Sequence, residues 1–414
     1  MSIKFFLKNK NLTAYYGTLI FTALADTMFL LTITWIGANI GGSYLSFILG
    51  CWTVPRFVFL ILGGILVDRV NVFSILRNLL IVKSILIFIY LILSLYFGSF
   101  YLLPIFTIFS SIVDSFRSPA VPTIIPSLVS KDELAKANKY RSLFIQSFSL
   151  IGPVIGGGII AKTSTSVSLL LVGILYLLGS ILFIFIKYKS KERKSIYQKG
   201  MLSQIKTGYM VVLSQPVIKI FLPIIFSSNM FMAMANDVAL PLFVNNSLKG
   251  NALQFGIFSS CFVAGLMVGT LFSEKILQKM REYRTSLLLV ILSDFSFLWL
   301  AVINHSYLSL FFIFVSGLLL GPVGPIYITK MQELISEEHY GKSMALVQYM
   351  SKISGPIGIA LGGMLISLVS PAQVIIYSCL GSVIIGIIIY IYSRSVKDVS
   401  NIKSDLNTQD GKNL

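Results

Sequence analysis

The apolar residues of this chain form twelve runs, and most charged residues lie in the gaps between those runs. Each run is about as long as the ~20 residues that a helix needs to cross the hydrocarbon core of a bilayer. Hydrophobic residues make up 56% of the chain and charged residues only 12%, which excludes an ordinary soluble protein. The chain is therefore predicted to be an all-α integral membrane protein. Its twelve predicted spans are 12–37, 44–67, 79–98, 101–122, 139–161, 166–186, 217–244, 253–273, 285–304, 307–329, 343–369 and 372–393.

Lysine and arginine residues are concentrated in every second gap between the runs. The remaining gaps hold Lys162 and Lys249. Because cytoplasmic loops carry the excess of basic residues in membrane proteins, this asymmetry places both termini in the cytoplasm. It also accounts for the net charge of +17, so we expect membrane lipids rather than nucleic acid as a partner. We expect a multi-pass protein of a bacterial cytoplasmic membrane.

The two halves of the chain repeat each other. Gly63 and Pro119 coincide with Gly269 and Pro325, both 206 positions later. Each copy holds six spans, so both copies enter the membrane from the same side, and such parallel repeats are characteristic of secondary transporters. The predicted domains are an N-terminal six-helix half over 1–186, a basic cytoplasmic linker over 187–216, a C-terminal six-helix half over 217–393 and a disordered cytoplasmic tail over 394–414.

Ionisable residues within spans are rare in membrane proteins and are functional candidates by default. Asp26 and Arg56 lie near mid-depth on spans one and two. One interpretation is a fixed ion pair between them; the other is that Asp26 exchanges its bond to Arg56 for a proton or a cationic substrate. Asp237 on span seven is a second carboxylate, and for it a hydrogen bond at an outer gate is the alternative.

The other polar positions within spans receive different predictions. Asp114 and Arg117 are three residues apart on span four, so they share a helix face, and a cytoplasmic gate network is favoured over a substrate contact. Lys83 is expected to extend to the inner membrane surface, and Asp294 to be structural, with a partner on another helix. The residues predicted to face a substrate cavity are Arg56, Gln146, Gln348, Tyr349 and Lys352.

Two motifs resemble signatures of the major facilitator superfamily. "GGILVDRV", which contains Gly64, Asp68 and Arg69, resembles the signature of the loop between spans two and three, which forms a cytoplasmic latch. Glu274 and Lys275 repeat it in the second half. The predicted latch therefore comprises Gly64, Asp68, Arg69, Asp114, Arg117, Glu274 and Lys275. "GPVIGGG" on span five resembles the antiporter signature of drug exporters through Gly152, Pro153, Gly156 and Gly157.

The stretch over 118–157 resembles the macrolide-efflux branch of this superfamily. The branch also contains siderophore exporters, and a lysophospholipid transporter has a similar stretch. The resemblance implies the major facilitator fold, in which spans one and seven line the cavity, so Asp26 and Asp237 become the candidate proton carriers. It further implies a monomer that exports amphipathic small molecules, macrolide-like or multidrug, in exchange for protons.

Two other functions stay open: export of an anionic metabolite such as a siderophore, and lysophospholipid transport. Arg56, Arg117 and Lys352 would contact an anionic substrate. An enzyme is not expected, because the chain has no nucleotide-binding glycine loop followed by Lys and Ser or Thr. His305 and His339 fall in loops on opposite sides, so no metal site is expected between them. The proton gradient is the expected energy source, without a cofactor.

Overall fold

A computed structural model describes residues 9–69, 71–186, 216–279, 284–303, 305–334 and 337–395. These residues are almost entirely helical, and no β-strand occurs among them. The predicted linker over 187–216 and the predicted tail over 394–414 lie almost wholly outside the described residues. The domain boundaries therefore stay a prediction.

The helices of the first half follow the predicted spans one to six. They are α1 (Lys10–Ile40), α2 (Gly42–Arg69), α3 (Val72–Phe97), α4 (Ser99–Ala120), α5 (Leu134–Lys162) and α6 (Thr165–Ile184). Short helical turns at Val121–Thr123, Ile125–Leu128 and Lys131–Glu133 connect α4 to α5. Side-chain oxygens of Asn9, Asn71 and Ser164 cap the first turns of α1, α3 and α6, where backbone N–H groups lack helical partners.

The helices of the second half follow spans seven to twelve. They are α7 (Pro216–Met232, continued by wider π-helical turns at Ala233–Ala239 and Phe243–Ser247), α8 (Ala252–Leu271), α9 (Arg284–Ile303), α10 (Ser306–Leu320 and, after a turn, Val323–Leu334), α11 (Glu337–Ile366) and α12 (Pro371–Ser395). A short helix, Ser273–Lys279, follows α8.

Ten helices in the described ranges are long and apolar enough to cross a membrane. The other two span positions are occupied by α2 and α11, which are 28 and 30 residues long. A helix rises 1.5 Å per residue, so both exceed the ~30 Å hydrocarbon core. The predicted all-helical membrane fold is confirmed.

The helices pack into two compact units. Unit 1 contains the described residues of 1–196, 237–263 and 359–371, and unit 2 contains those of 197–236, 264–358 and 372–414. In unit 1, α1 packs against α5 and α6, α2 packs against α4, and α3 packs against both α4 and α6. In unit 2, α9 packs along the first part of α10. These neighbours decide which side chains meet inside each unit.

The glycines of the predicted antiporter signature allow α5 to approach two helices within unit 1. A side chain at Gly152 would meet Thr27 of α1, and one at Gly156 would meet Met28 of α1. Gly157 lies on another face, against the backbone of Ala252 at the start of α8. Small residues permit such close approach between membrane helices.

Gly157→Ala is expected to lower the free energy of unfolding by about 1–3 kcal/mol, because the added methyl must displace the backbone of Ala252. The adjacent Gly158 supplies a matched control, since a methyl there meets only a Leu253 methyl at 3.7 Å. Gly158→Ala is expected to be neutral or to stabilise the helix by up to ~1 kcal/mol. Thermal unfolding of both variants in detergent measures the difference, and equal midpoints would contradict the assigned contact.

Candidate functional site

Five side chains from α1, α3, α4 and α6 form a closed ring of hydrogen bonds inside unit 1. Arg117 binds two carboxylates, with Nη2 donating to Asp26 Oδ2 at 2.5 Å and Nε donating to Asp114 Oδ1 at 3.2 Å. Lys83 Nζ donates to both Asp114 oxygens at 2.9 Å and to the Tyr176 hydroxyl at 2.9 Å. Tyr176 in turn donates to Asp26 Oδ1 at 2.6 Å, which closes the ring. We call these five residues the charge ring.

Only one side chain of the charge ring is substantially open to solvent. The side chain of Asp26 is 32% exposed, whereas those of Lys83, Asp114 and Arg117 are 1%, 2% and 13% exposed. Tyr176 is fully buried. Asp26 is therefore the most accessible member of the charge ring, whereas Lys83 and Asp114 are closed off.

Aromatic rings surround the buried cation of the charge ring. Lys83 Nζ lies 5.5, 5.4 and 4.6 Å from the ring centroids of Phe29, Trp52 and Tyr176. An ammonium group within about 6 Å of an aromatic centroid is attracted by the negative face of that ring. The ring centroids of Phe29 and Trp52 are 5.3 Å apart, so α1 and α2 also meet here. The two cations and two carboxylates of the charge ring balance each other within this apolar wall.

The expectation that Lys83 extends to the inner membrane surface is wrong. Its ammonium group is buried and bonded to Asp114 and Tyr176. The reason is the start of α3: the predicted span begins at residue 79, but the Asn71 cap starts the helix at Val72. Lys83 consequently lies near the middle of α3 rather than near its end.

The suggested pair of Asp26 with Arg56 is also wrong, because Asp26 is bound by Arg117 and Tyr176. Arg56 instead lies over the ring of Trp52, with its guanidinium carbon 5.7 Å from the centroid. Sequential order suggested α2 as the partner of α1. Within unit 1, however, α1 packs more extensively against α6, which supplies Tyr176, and the long side chain of Arg117 reaches Asp26 from α4.

Asp114 and Arg117 share a face of α4 and bind each other, as their spacing predicts. Their other described partners are Lys83 and Asp26 of the charge ring, and their role in a cytoplasmic latch stays a prediction. Gly64, Asp68 and Arg69 belong to the end of α2, and their side chains lie outside the described part of the structure. Glu274 and Lys275 are exposed in the short helix after α8.

The remaining predicted cavity residues are not brought to the charge ring by any described contact. Gln146 is exposed on α5 in unit 1. Gln348, Tyr349 and Lys352 are exposed on α11 and belong to unit 2. Asp237 is exposed in the π-helical turn Ala233–Ala239 of α7. The roles of these residues stay predictions.

Asp294 of unit 2 has the cross-helix partner that the sequence suggested. Ser382 Oγ of α12 donates to Asp294 Oδ2 at 2.5 Å, and the carboxyl group is buried. No described lysine or arginine lies within ion-pair distance of it. Ser382 occupies the repeat position of Tyr176, 206 residues later, so both halves use this position to bind an aspartate.

Sequence reasoning missed Tyr176 as a site residue and misplaced Lys83. A tyrosine within an apolar run carries no charge that would distinguish it from core aromatics. The available signal was the number of charges: the first four spans contain the carboxylates Asp26 and Asp114 together with the cations Arg56, Lys83 and Arg117. Buried charges are paired as a rule, so each of the two carboxylates was to be expected beside one of these cations.

Membrane-length helices that enclose a charge network with one exposed carboxylate are typical of membrane transport proteins. The family model of the Major Facilitator Superfamily matches residues 16–359 and 238–407. The chain therefore belongs to the Major Facilitator Superfamily, whose members are transporters and not enzymes.

Curated relatives of the chain are transporters at low sequence identity. The chain is 24% identical to the "Uncharacterized MFS-type transporter YvqJ" of Bacillus subtilis over 68% of this chain and 67% of the relative. It is 24% identical to "Macrolide efflux protein A" of Enterococcus faecalis over 60% of this chain and 78% of the relative. A Streptococcus pyogenes protein of the same name is 24% identical over 61% of this chain and 63% of the relative.

Solved structures support the fold. The chain matches a crystal structure of a bacterial homologue of the human lysosomal transporter Spinster, with a TM-score of 0.70 over 94% of this chain and 98% of that chain. It also matches a crystal structure of a bacterial homologue of the iron transporter ferroportin, with a TM-score of 0.72 over 92% of this chain and 98% of that chain. Both are 14% identical to it, so they establish the major facilitator fold alone.

Proposed function

We propose that this transporter exports amphipathic small molecules, macrolide-like or of several drug classes, in exchange for protons by alternating access. The observation that carries the proposal is the charge ring, in which Asp26 alone is substantially open to solvent while both of its oxygens are bound within the ring. Two relatives named macrolide efflux protein A support the direction and the substrate class. The proposed setting is the cytoplasmic membrane of a bacterium, with both termini in the cytoplasm and a monomer as the working form.

The charge ring suggests how a proton is exchanged. When Asp26 takes a proton, its carboxyl group loses the charge that attracts Arg117. Arg117 already donates to Asp114, so it keeps an anionic partner after it leaves Asp26. The loss of the bond between α1 and α4 then favours a different packing of these helices. A substrate that binds the deprotonated arrangement competes with the proton, which is the requirement for exchange.

An anionic substrate has less support from the charge ring. Arg117, one of the predicted anion contacts, is bound to two carboxylates. Protonation of Asp26 removes one negative charge and leaves the ring more positive. A proton and an anion would therefore favour each other's binding, whereas exchange requires that they oppose each other. Neutral and cationic amphipathic compounds fit the proposed exchange better.

Inverted membrane vesicles test the function directly. Respiration acidifies their lumen, and a pH-sensitive dye reports the lumen while macrolides, lipophilic dyes and siderophores are added one at a time. We expect a macrolide or a dye to raise the lumenal pH, because protons leave as the compound enters. Vesicles without the protein are the control. No change in lumenal pH with any compound, or a change with siderophores alone, would contradict the proposal.

A further inference from the structure

Unit 2 contains a cavity of about 240 Å³ that is enclosed by α7, α9 and α10. Its deep wall includes Phe221 and Ile224 of α7 together with Leu287 and Val290 of α9, all of which are buried. Its mouth lies at Asn229 of α7 and Gly324 of α10, which are both exposed. The buried lining is therefore mostly apolar, with Ser286 and Tyr327 as its polar members, and the exposed end carries the amide of Asn229.

The chemistry of the lining excludes a charged ligand group. No lysine, arginine, aspartate, glutamate or histidine is among the residues that line the cavity. A charge placed among these side chains would lose its hydration without gaining a partner. An apolar group gains by leaving water for such a surface. The group that fits this cavity is neutral and apolar.

The size of the cavity limits how much of a ligand it can hold. Pockets that bury a whole drug-sized molecule have volumes of roughly 300–1,000 Å³. A volume of about 240 Å³ is below that range, so part of a larger molecule fits and the rest stays at the mouth. The amide of Asn229 donates to the Ile225 carbonyl at 2.8 Å, which leaves its oxygen available at the mouth.

We propose that this cavity binds the apolar portion of the transported molecule, while its polar portion remains beside Asn229. The proposal rests on the proposed function, because it assigns the cavity to the substrate of export. It restricts the substrate to molecules with a neutral apolar arm. A lipid acyl chain has the same chemistry and is the other source of such a group, so the test separates the two.

The glycine at the mouth allows a specific test. Gly324 lines the cavity, and a side chain there meets no atom within 4 Å of its first carbon, so Gly324→Leu adds bulk at the mouth without a clash at that carbon. Gly50 on α2 is equally open and belongs to unit 1, which makes Gly50→Leu the matched control. Binding of the amphipathic dye ethidium to the purified full-length protein is measured by fluorescence in detergent, without a proton gradient. We expect Gly324→Leu to raise the Kd at least about tenfold and Gly50→Leu to leave it unchanged.

Three outcomes would overturn the proposal. They are an unchanged Kd in Gly324→Leu, an equal loss of affinity in Gly50→Leu, and loss of a copurified lipid from Gly324→Leu at unchanged dye affinity. The last outcome assigns the cavity to lipid. If Gly324→Leu does not fold, Ser228→Phe on the α7 side of the cavity replaces it, with the same expected result. Because binding is measured without a gradient, failure of proton coupling leaves this test intact.

Discussion

Asp26→Asn is expected to lower proton-driven transport by about 10–100-fold while the protein remains folded in the membrane. The variant keeps the shape of the side chain and an oxygen that accepts from Tyr176, but it removes the charge that binds Arg117. Coupling between two ligands of a protein is typically worth about 1–3 kcal/mol, and this variant removes the group proposed to carry it. Transport is measured as drug-induced pH change in inverted vesicles.

The control for this prediction is Asp294, a buried aspartate of unit 2. Asp294→Asn keeps a side-chain oxygen that accepts from Ser382 and lies outside the charge ring, so its transport should remain close to that of the wild type. Asp237→Asn in parallel separates the two carboxylates that the sequence proposed as proton carriers. If Asp26→Asn transports at the wild-type rate, Asp26 is not the proton carrier.

Lys83→Met is expected to destabilise the protein by about 3–5 kcal/mol, the cost of breaking a buried ion pair by removing one partner. Asp114 is buried and loses two of its three hydrogen bonds in this variant, which leaves a poorly compensated charge. The Tyr176 hydroxyl loses its donor as well. Thermal unfolding in detergent, with the retained monodisperse fraction as a second readout, measures the loss.

Charge balance makes this prediction specific. The double variant Lys83→Met with Asp114→Leu removes a cation and an anion together, so the remaining pair of Asp26 and Arg117 stays balanced. We expect it to recover most of the lost stability, since replacing a buried ion pair by apolar residues is often nearly neutral. Lys352→Met, at an exposed lysine of α11, should change stability by less than about 0.5 kcal/mol. A double variant as unstable as Lys83→Met would show that packing, not charge, sets the effect.

The fold was predictable from the sequence because its main determinant is local. Each apolar run must form a helix, since no water is present in the hydrocarbon core to satisfy backbone groups. Asp26, Asp114 and Arg117 were found for a related reason: a charge in an apolar run is conspicuous wherever the run packs. The internal repeat gave the number of helices in each half.

The partners within the charge ring were not predictable in the same way. They depend on which helices are neighbours, and Asp26 meets α4 and α6 rather than the sequential neighbour α2. The place of Lys83 depended on where α3 starts, which a single capping residue, Asn71, decides. The apolar cavity of unit 2 is formed by three helices that are not all adjacent in sequence. Its lining has no composition that distinguishes it from ordinary membrane-helix packing.

In the proposed exchange, Asp26 gives up a proton when the transporter binds its substrate. The most direct measurement is proton release by the purified protein in weakly buffered detergent solution when a macrolide from the vesicle panel is added, with a pH-sensitive dye as the reporter. We expect the wild type to release protons in proportion to bound macrolide, and Asp26→Asn to bind the macrolide without releasing any. Equal proton release by both proteins would place the exchanged proton on another group and exclude Asp26 as its carrier.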